Sequence, residues 1–123
     1  MIFELMQEYA RVREHLLPAI ERTNGTHTED DVIAALLNGQ FKLWALEKSV
    51  GITEFQIYPR MKILNVFLAG GDLPEIMAHT PVLEAYGLKN GCSRMTFGGR
   101  PGWEPVMSEH GYKRGGVFLY KDL

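Results

Sequence analysis

Apolar residues recur at spacings of three and four along residues 2–22. Phe3, Met6, Ala10, Leu17 and Ile20 share one stripe there and predict an amphipathic helix. Pro18 lies inside that stretch and predicts a kink or an early end, because its ring removes a helical donor. Thr23-Asn24-Gly25 is a stop signal. Thr28-Glu29-Asp30-Asp31 then opens a second helix, with Thr28 as N-cap and carboxylates at the positive helix start. Val32, Ile33, Leu36 and Leu37 form its apolar side, and Asn38-Gly39 ends it.

The period then shortens to two. Phe41, Leu43 and Ala45 alternate with Lys42, Trp44 and Leu46, which predicts a strand over 41–48. A second strand is predicted over 52–58, and a third over 62–68, where the near-continuous run Ile63-Leu64-Asn65-Val66-Phe67-Leu68 implies burial on both faces. Val50-Gly51 and Pro59-Arg60 suit short antiparallel turns. Gly70-Gly71 breaks the third strand. Asp72, with Pro74 and Glu75 in the first turn, starts a helix that Thr80-Pro81 distorts and Asn90-Gly91 closes. A fourth strand is predicted over 92–97, a short helix over 103–109, and a last strand over 117–120.

The order ααβββαβαβ describes a single mixed-sheet α/β (α+β) domain spanning 1–123. Its three-stranded meander is antiparallel, and a strand–helix–strand crossover makes the fourth strand parallel to the third. At 123 residues, 46% hydrophobic and 23% charged, the chain can build a core without staples. Cys92 stands alone, so no intramolecular disulfide forms and a reducing compartment is expected. Its place at a strand entrance suits a small buried residue, while the nearby Arg94 would suit a reactive thiol. The four histidines show no zinc-ligand spacing, the N-terminus lacks a signal-peptide pattern, and no stretch matches a membrane span.

The net charge of −2 conceals a division. Residues 1–31 carry three arginines against seven carboxylates, net −4, and residues 89–121 carry six cations against two carboxylates, net +4. Two solvated faces of opposite sign, or head-to-tail association, follow from that split. Arg100-Pro101-Gly102-Trp103 joins a cation, a rigid turn and a large aromatic, the residue types that dominate interface hot spots. Burial of Trp103 as an anchor for the short helix is the other reading. Lys113 and Arg114 extend the basic character of Arg94 and Arg100, with no aromatic stacking motif to make a nucleic-acid module.

The tail of the chain resembles a known family. Leu83-Glu84-Ala85-Tyr86, Gly91-Cys92-Ser93-Arg94, Gly99-Arg100-Pro101-Gly102-Trp103 and Gly111-Tyr112, together with the element order, are similar to the acyl-CoA N-acyltransferase (GNAT-like) fold over about residues 20–123. The stretch from Phe67-Leu68-Ala69-Gly70-Gly71 onward is similar to small GNAT-like proteins encoded by tailed bacteriophages. The resemblance implies acetyl-CoA as cofactor and a pyrophosphate cradle at Gly70 and Gly71, the alternative being plain turn geometry.

The chain departs from that pattern in three places. The family's first strand is missing. The family's Arg/Gln-x-x-Gly-x-Gly/Ala loop is replaced by Ala69-Gly70-Gly71-Asp72-Leu73-Pro74-Glu75, which sets carboxylates where a diphosphate would sit and deletes an N–H at Pro74. Met107 stands where many members carry a tyrosine acid; the adjacent Ser108 is a poor replacement. Glu47 and Glu54 are left as general-base candidates. The expectation is therefore a non-catalytic GNAT-like phage protein in virion assembly or another structural role. Its partners would be virion proteins or itself, in the host cytoplasm or the virion, with Arg100, Trp103, Lys113 and Arg114 at the interface. The alternatives are an acetyl-CoA-dependent N-acetyltransferase acting on an amine, and a small host-takeover inhibitor.

Overall fold

The computed structural model describes residues 1–123 as a four-stranded sheet between two helical layers. The elements are α1 (Ile2–Glu21), α2 (Glu29–Leu37), β1 (Lys42–Ala45), β2 (Ser49–Ile57), β3 (Lys62–Gly71), α3 (Leu73–Lys89), β4 (Arg94–Phe97), a 3-10 turn (Pro101–Trp103) and α4 (Glu104–Glu109). The sheet order is β1-β2-β3-β4. The first two pairings are antiparallel and the third is parallel, as the meander and crossover require. No helix is long and apolar enough to cross a membrane. No predicted strand forms over 117–120, so the chain after α4 has no regular element. Val117–Tyr120 has strand-like composition, but it makes no ladder hydrogen bonds to a neighbouring strand.

Helix α1 covers the first sheet face through Tyr9, Val12, Leu16, Ala19 and Ile20. That face is rotated from the expected stripe: Phe3 is 73% exposed and Ala10 is exposed. The buried positions repeat at three and four just as the expected ones do, so periodicity alone left the phase open. Pro18 does not end the helix. The carbonyl it orphans belongs to Glu14, at an exposed position open to solvent, and Arg22 N–H closes the last turn on Pro18 and Ala19. Helix α2 starts on the expected cap, a reciprocal box in which Asp31 N–H donates to Thr28 Oγ1 and Thr28 N–H donates to Asp31 at 2.8 Å. Tyr9 Oη donates to Glu29 at 2.7 Å, and Arg13 Nε donates to the same carboxylate at 2.6 Å, tying α1 to the start of α2.

The β1–β2 turn lies at Glu47-Lys48 rather than at Val50-Gly51, with Leu46 N–H donating to Ser49 O at 2.9 Å. Val50 is drawn into β2 because its side chain is fully buried in the α1 core. In β3, the pairs Ile52↔Leu68 and Thr53↔Val66 leave Phe67 as a bulge. The bulge turns Phe67 and Leu68 toward the α1–α2 layer, where Phe67 meets Phe41 and His27, while Leu64 and Val66 face α3. The predicted burial of both faces is thus met by helices on both sides.

Helix α3 runs unbroken through Pro81. The carbonyl orphaned by Pro81 is that of Met77, and Thr80 Oγ1 donates to it at 2.8 Å. The residue expected to mark a distortion supplies the missing donor. A third cluster of Ile76, Met77, Trp103 and Met107 fastens the 3-10 turn and α4 to the first half of α3.

Candidate functional site

Gly70 and Gly71 lie within β3, not after it: Gly70 pairs with Val50 and Gly71 with Ser49. The expected strand break is corrected by that pairing. A Cβ on Gly70 would enter the carbonyl oxygen of His15, so its missing side chain admits the α1 backbone. Gly71 has φ +113° and lies against Lys48 and Ser49. The two glycines thus serve close backbone packing.

The start of α3 is occupied by the chain's own carboxylates. Asp72 accepts from Glu75 N–H at 3.0 Å. The Glu75 carboxylate reaches back to the β1–β2 turn, where it accepts from Lys48 N–H at 2.8 Å and from the Ser49 hydroxyl. The Ser49 hydroxyl, helped by the Lys48 N–H, holds the Glu75 carboxyl below its ordinary range. A diphosphate here would meet Asp72 and Glu75 as like charges, and Pro74 offers it no donor. These residues do not fit a CoA pyrophosphate.

The general-base and acid candidates do not come together at one place. Met107 is buried among Ile76, Met77 and Trp103. Ser108 is exposed on α4. Glu47 lies in the β1–β2 turn and is exposed. Glu54 accepts from Asn65 Nδ2 at 3.0 Å, and Asn65 Oδ1 accepts from Thr96 Oγ1 at 2.7 Å, a polar ladder across β2, β3 and β4. Cys92 is buried just ahead of β4, which leaves the small-buried-residue reading. No cluster of three or more His, Cys, Asp or Glu side chains comes together.

The tertiary structure gathers the basic residues instead along one groove. This groove, about 1240 Å³ in volume, lies between β4, the second half of α3, α4 and residues 110–118. Arg94, Arg100, Lys113 and Arg114 all line it. Arg114 is neutralised by Glu104 in a two-pronged pair at 2.8 and 2.5 Å. Trp103 does not line the groove: it is buried behind it, and the Arg100 guanidinium stacks 5.1 Å from its ring. The interface expectation for Trp103 therefore gives way to the anchoring one.

Sequence reasoning missed the residues that shape the groove. Tyr112 Oη donates to Glu84 at 2.7 Å, and its ring meets Phe97 edge-on at 5.5 Å. Burial and Glu84 push the Tyr112 hydroxyl well above its ordinary range, so it stays a neutral donor. Tyr112 was legible only as part of the Gly111-Tyr112 pair that the family resemblance rests on. Its partners, 28 and 15 positions earlier, had no local signal.

No protein-family profile and no curated protein matches the chain. Solved structures of the protein TTHA1254 from Thermus thermophilus do resemble it. A point mutant of that protein aligns with a TM-score of 0.59 and its wild type with 0.57, each at 13% identity over 87% of this chain and 89% of the other. At that identity the likeness is one of fold.

Proposed function

We propose that the chain is a non-catalytic GNAT-like domain that works by binding other proteins, as a structural or interaction component. The observation that carries this reading is the α3 start, where Asp72, Pro74 and Glu75 fill the place a diphosphate would take. The burial of Met107 at the position of the family's acid, and the engagement of Glu54 in a cross-strand ladder, support it further. The resemblance to phage-encoded proteins makes the virion, or its assembly in the host cytoplasm, the setting we propose.

Thermal denaturation with acetyl-CoA tests this reading. A ligand at 100 times its Kd adds roughly 2.7 kcal/mol to a folded protein. For a chain of this size that raises Tm by on the order of 10 °C. We expect no shift at millimolar acetyl-CoA. A saturable rise, with acetyl transfer to an amine, would overturn the proposal in favour of an N-acetyltransferase.

A further inference from the structure

Asparagine precedes glycine at Asn24-Gly25, Asn38-Gly39 and Asn90-Gly91. Each pair follows a helix, so along the chain the three look alike. Such a pair is chemically labile, because the glycine nitrogen can attack the asparagine carboxamide and no Cβ stands in the way. The attack needs a free glycine N–H, a free carboxamide and a peptide bond able to turn between them.

Tertiary structure separates the three. The Asn38 carboxamide oxygen accepts from Gln40 N–H at 2.8 Å, and Gly39 N–H donates to Leu36 O. The Asn90 carboxamide nitrogen donates to Tyr86 O at 2.8 Å, and Gly91 N–H donates to Leu88 O at 3.1 Å. Lys62 Nζ also donates to the Asn90 carbonyl at 2.9 Å, which pins the peptide that would have to turn. Asn24 differs on every count. It and Gly25 are exposed, Gly25 N–H has no acceptor in the protein, and a Cβ on Gly25 would meet nothing within 4 Å. Neighbouring hydroxyls are satisfied elsewhere, Thr23 by Ile20 O and Thr26 by His27, and leave the Asn24 carboxamide free. Asn24 is the one non-glycine residue with positive φ, +58°, and with Gly25 at +86° it makes a tight turn. A single bond, Thr26 N–H to Thr23 O at 3.3 Å, closes that turn. The left-handed region is disfavoured for a residue with a side chain, so leaving it carries little cost.

We propose that Asn24 is a site of spontaneous deamidation, and that the fold holds Asn38 and Asn90 intact. Gly25 N gives up its proton to hydroxide and bonds to Asn24 Cγ. The Cγ–Nδ2 bond breaks, and ammonia leaves with a proton taken from water. The product of this step is a succinimide ring, which water then opens. Cleavage between Gly25 N and Cγ leaves aspartate. Cleavage between Gly25 N and the Asn24 carbonyl carbon leaves isoaspartate, with the main chain routed through the side chain. In sum, one water is consumed and one ammonia released. Either product adds a carboxylate to residues 1–31, already net −4. Isoaspartate lengthens the main chain and breaks the Thr23–Thr26 turn. The two helices stay joined, since Tyr9 and Arg13 hold Glu29 independently of that turn. The modification is a one-way change of surface charge that the fold survives, and it is independent of the binding role proposed above.

Peptide mass spectrometry with fragment-ion assignment tests the proposal on the full chain aged at mildly alkaline pH, folded and in guanidinium. Deamidation adds about 1 Da at the modified residue. Folded, we expect Asn24 to be lost at least about tenfold faster than Asn38 or Asn90, since each of those must first break its hydrogen bonds. Unfolded, the three should react at similar rates. Isoelectric focusing should show an acidic form that grows with time in the wild type, with unchanged circular dichroism, and not in Asn24→Gly. Glycine suits the positive φ at that position and keeps the turn. Equal rates at the three sites in the folded chain overturn the proposal. So does an Asn24 that stays intact while the unfolded chain deamidates, and so does an acidic form that persists in Asn24→Gly.

Discussion

Gly70→Ala separates packing from ligand binding at the glycine pair. A Cβ on Gly70 falls inside the His15 carbonyl oxygen and 3.1 Å from its carbonyl carbon. Both atoms are backbone, in the middle of α1, so no rotamer change relieves the clash. Helix α1 must retreat by roughly 1 Å, a gap that forfeits a quarter to a half of each dispersion contact across it. The contacts at stake are those of Val12, Leu16 and Ala19, all buried against the sheet. Overpacking of this kind costs about 1–3 kcal/mol, and a rigid helix as the obstacle places Gly70→Ala near the upper end. Gly51→Ala is the control, since its nearest neighbour, Leu68 O, is at an ordinary 3.9 Å. Urea denaturation followed by circular dichroism measures both. We expect an unchanged m-value and a lower midpoint for Gly70→Ala, with Gly51→Ala changed by less than about 1 kcal/mol. A Gly70→Ala protein as stable as the wild type would refute the reasoning, since α1 would then not be seated on Gly70.

Tyr9→Phe deletes the hydroxyl that donates to Glu29 at 2.7 Å. It should cost about 1–2 kcal/mol in the same urea assay, because the acceptor is charged but keeps Arg13. Burial and Glu29 hold the Tyr9 hydroxyl well above its ordinary 10.0, so the folded state keeps a proton that the unfolded chain releases. Stability is therefore full below pH 10 and falls as pH rises beyond it, and Tyr9→Phe should flatten that alkaline loss. At the acid end, hydrogen bonds from Arg13 lower the Glu29 carboxyl, and Ser49 and Arg114 do the same for Glu75 and Glu104. Their contribution is present above the ordinary 4.5 and is lost as pH falls through the depressed values, and Glu29→Gln should remove part of that slope.

The helix caps and the antiparallel meander were legible because each is a local decision. Thr28 with Asp31, Asp72 with Glu75, and Pro59-Arg60 act over a few residues, and each appears where its chemistry places it. The stripe of α1 was not legible in phase, since Phe3 and Ala10 repeat at the same spacing as Tyr9, Val12 and Leu16. The basic residues of the groove were legible as types. Their convergence was not, because Arg94 and Lys113 belong to segments that meet only in space, through Tyr112 against Phe97 and the packing of α4 on α3.

Residue chemistry along the chain determined the element types, the single mixed sheet and the absence of a donor set suited to a diphosphate at the start of α3. Tertiary structure alone decided that Gly70 seats a helix, that Thr80 repairs the carbonyl Pro81 leaves bare, and that Val117–Tyr120 stands outside the sheet. The physical reason is common to all three. Each depends on what lies across a gap from the residue, and burial and hydrogen-bond satisfaction are properties of that neighbour as much as of the residue itself.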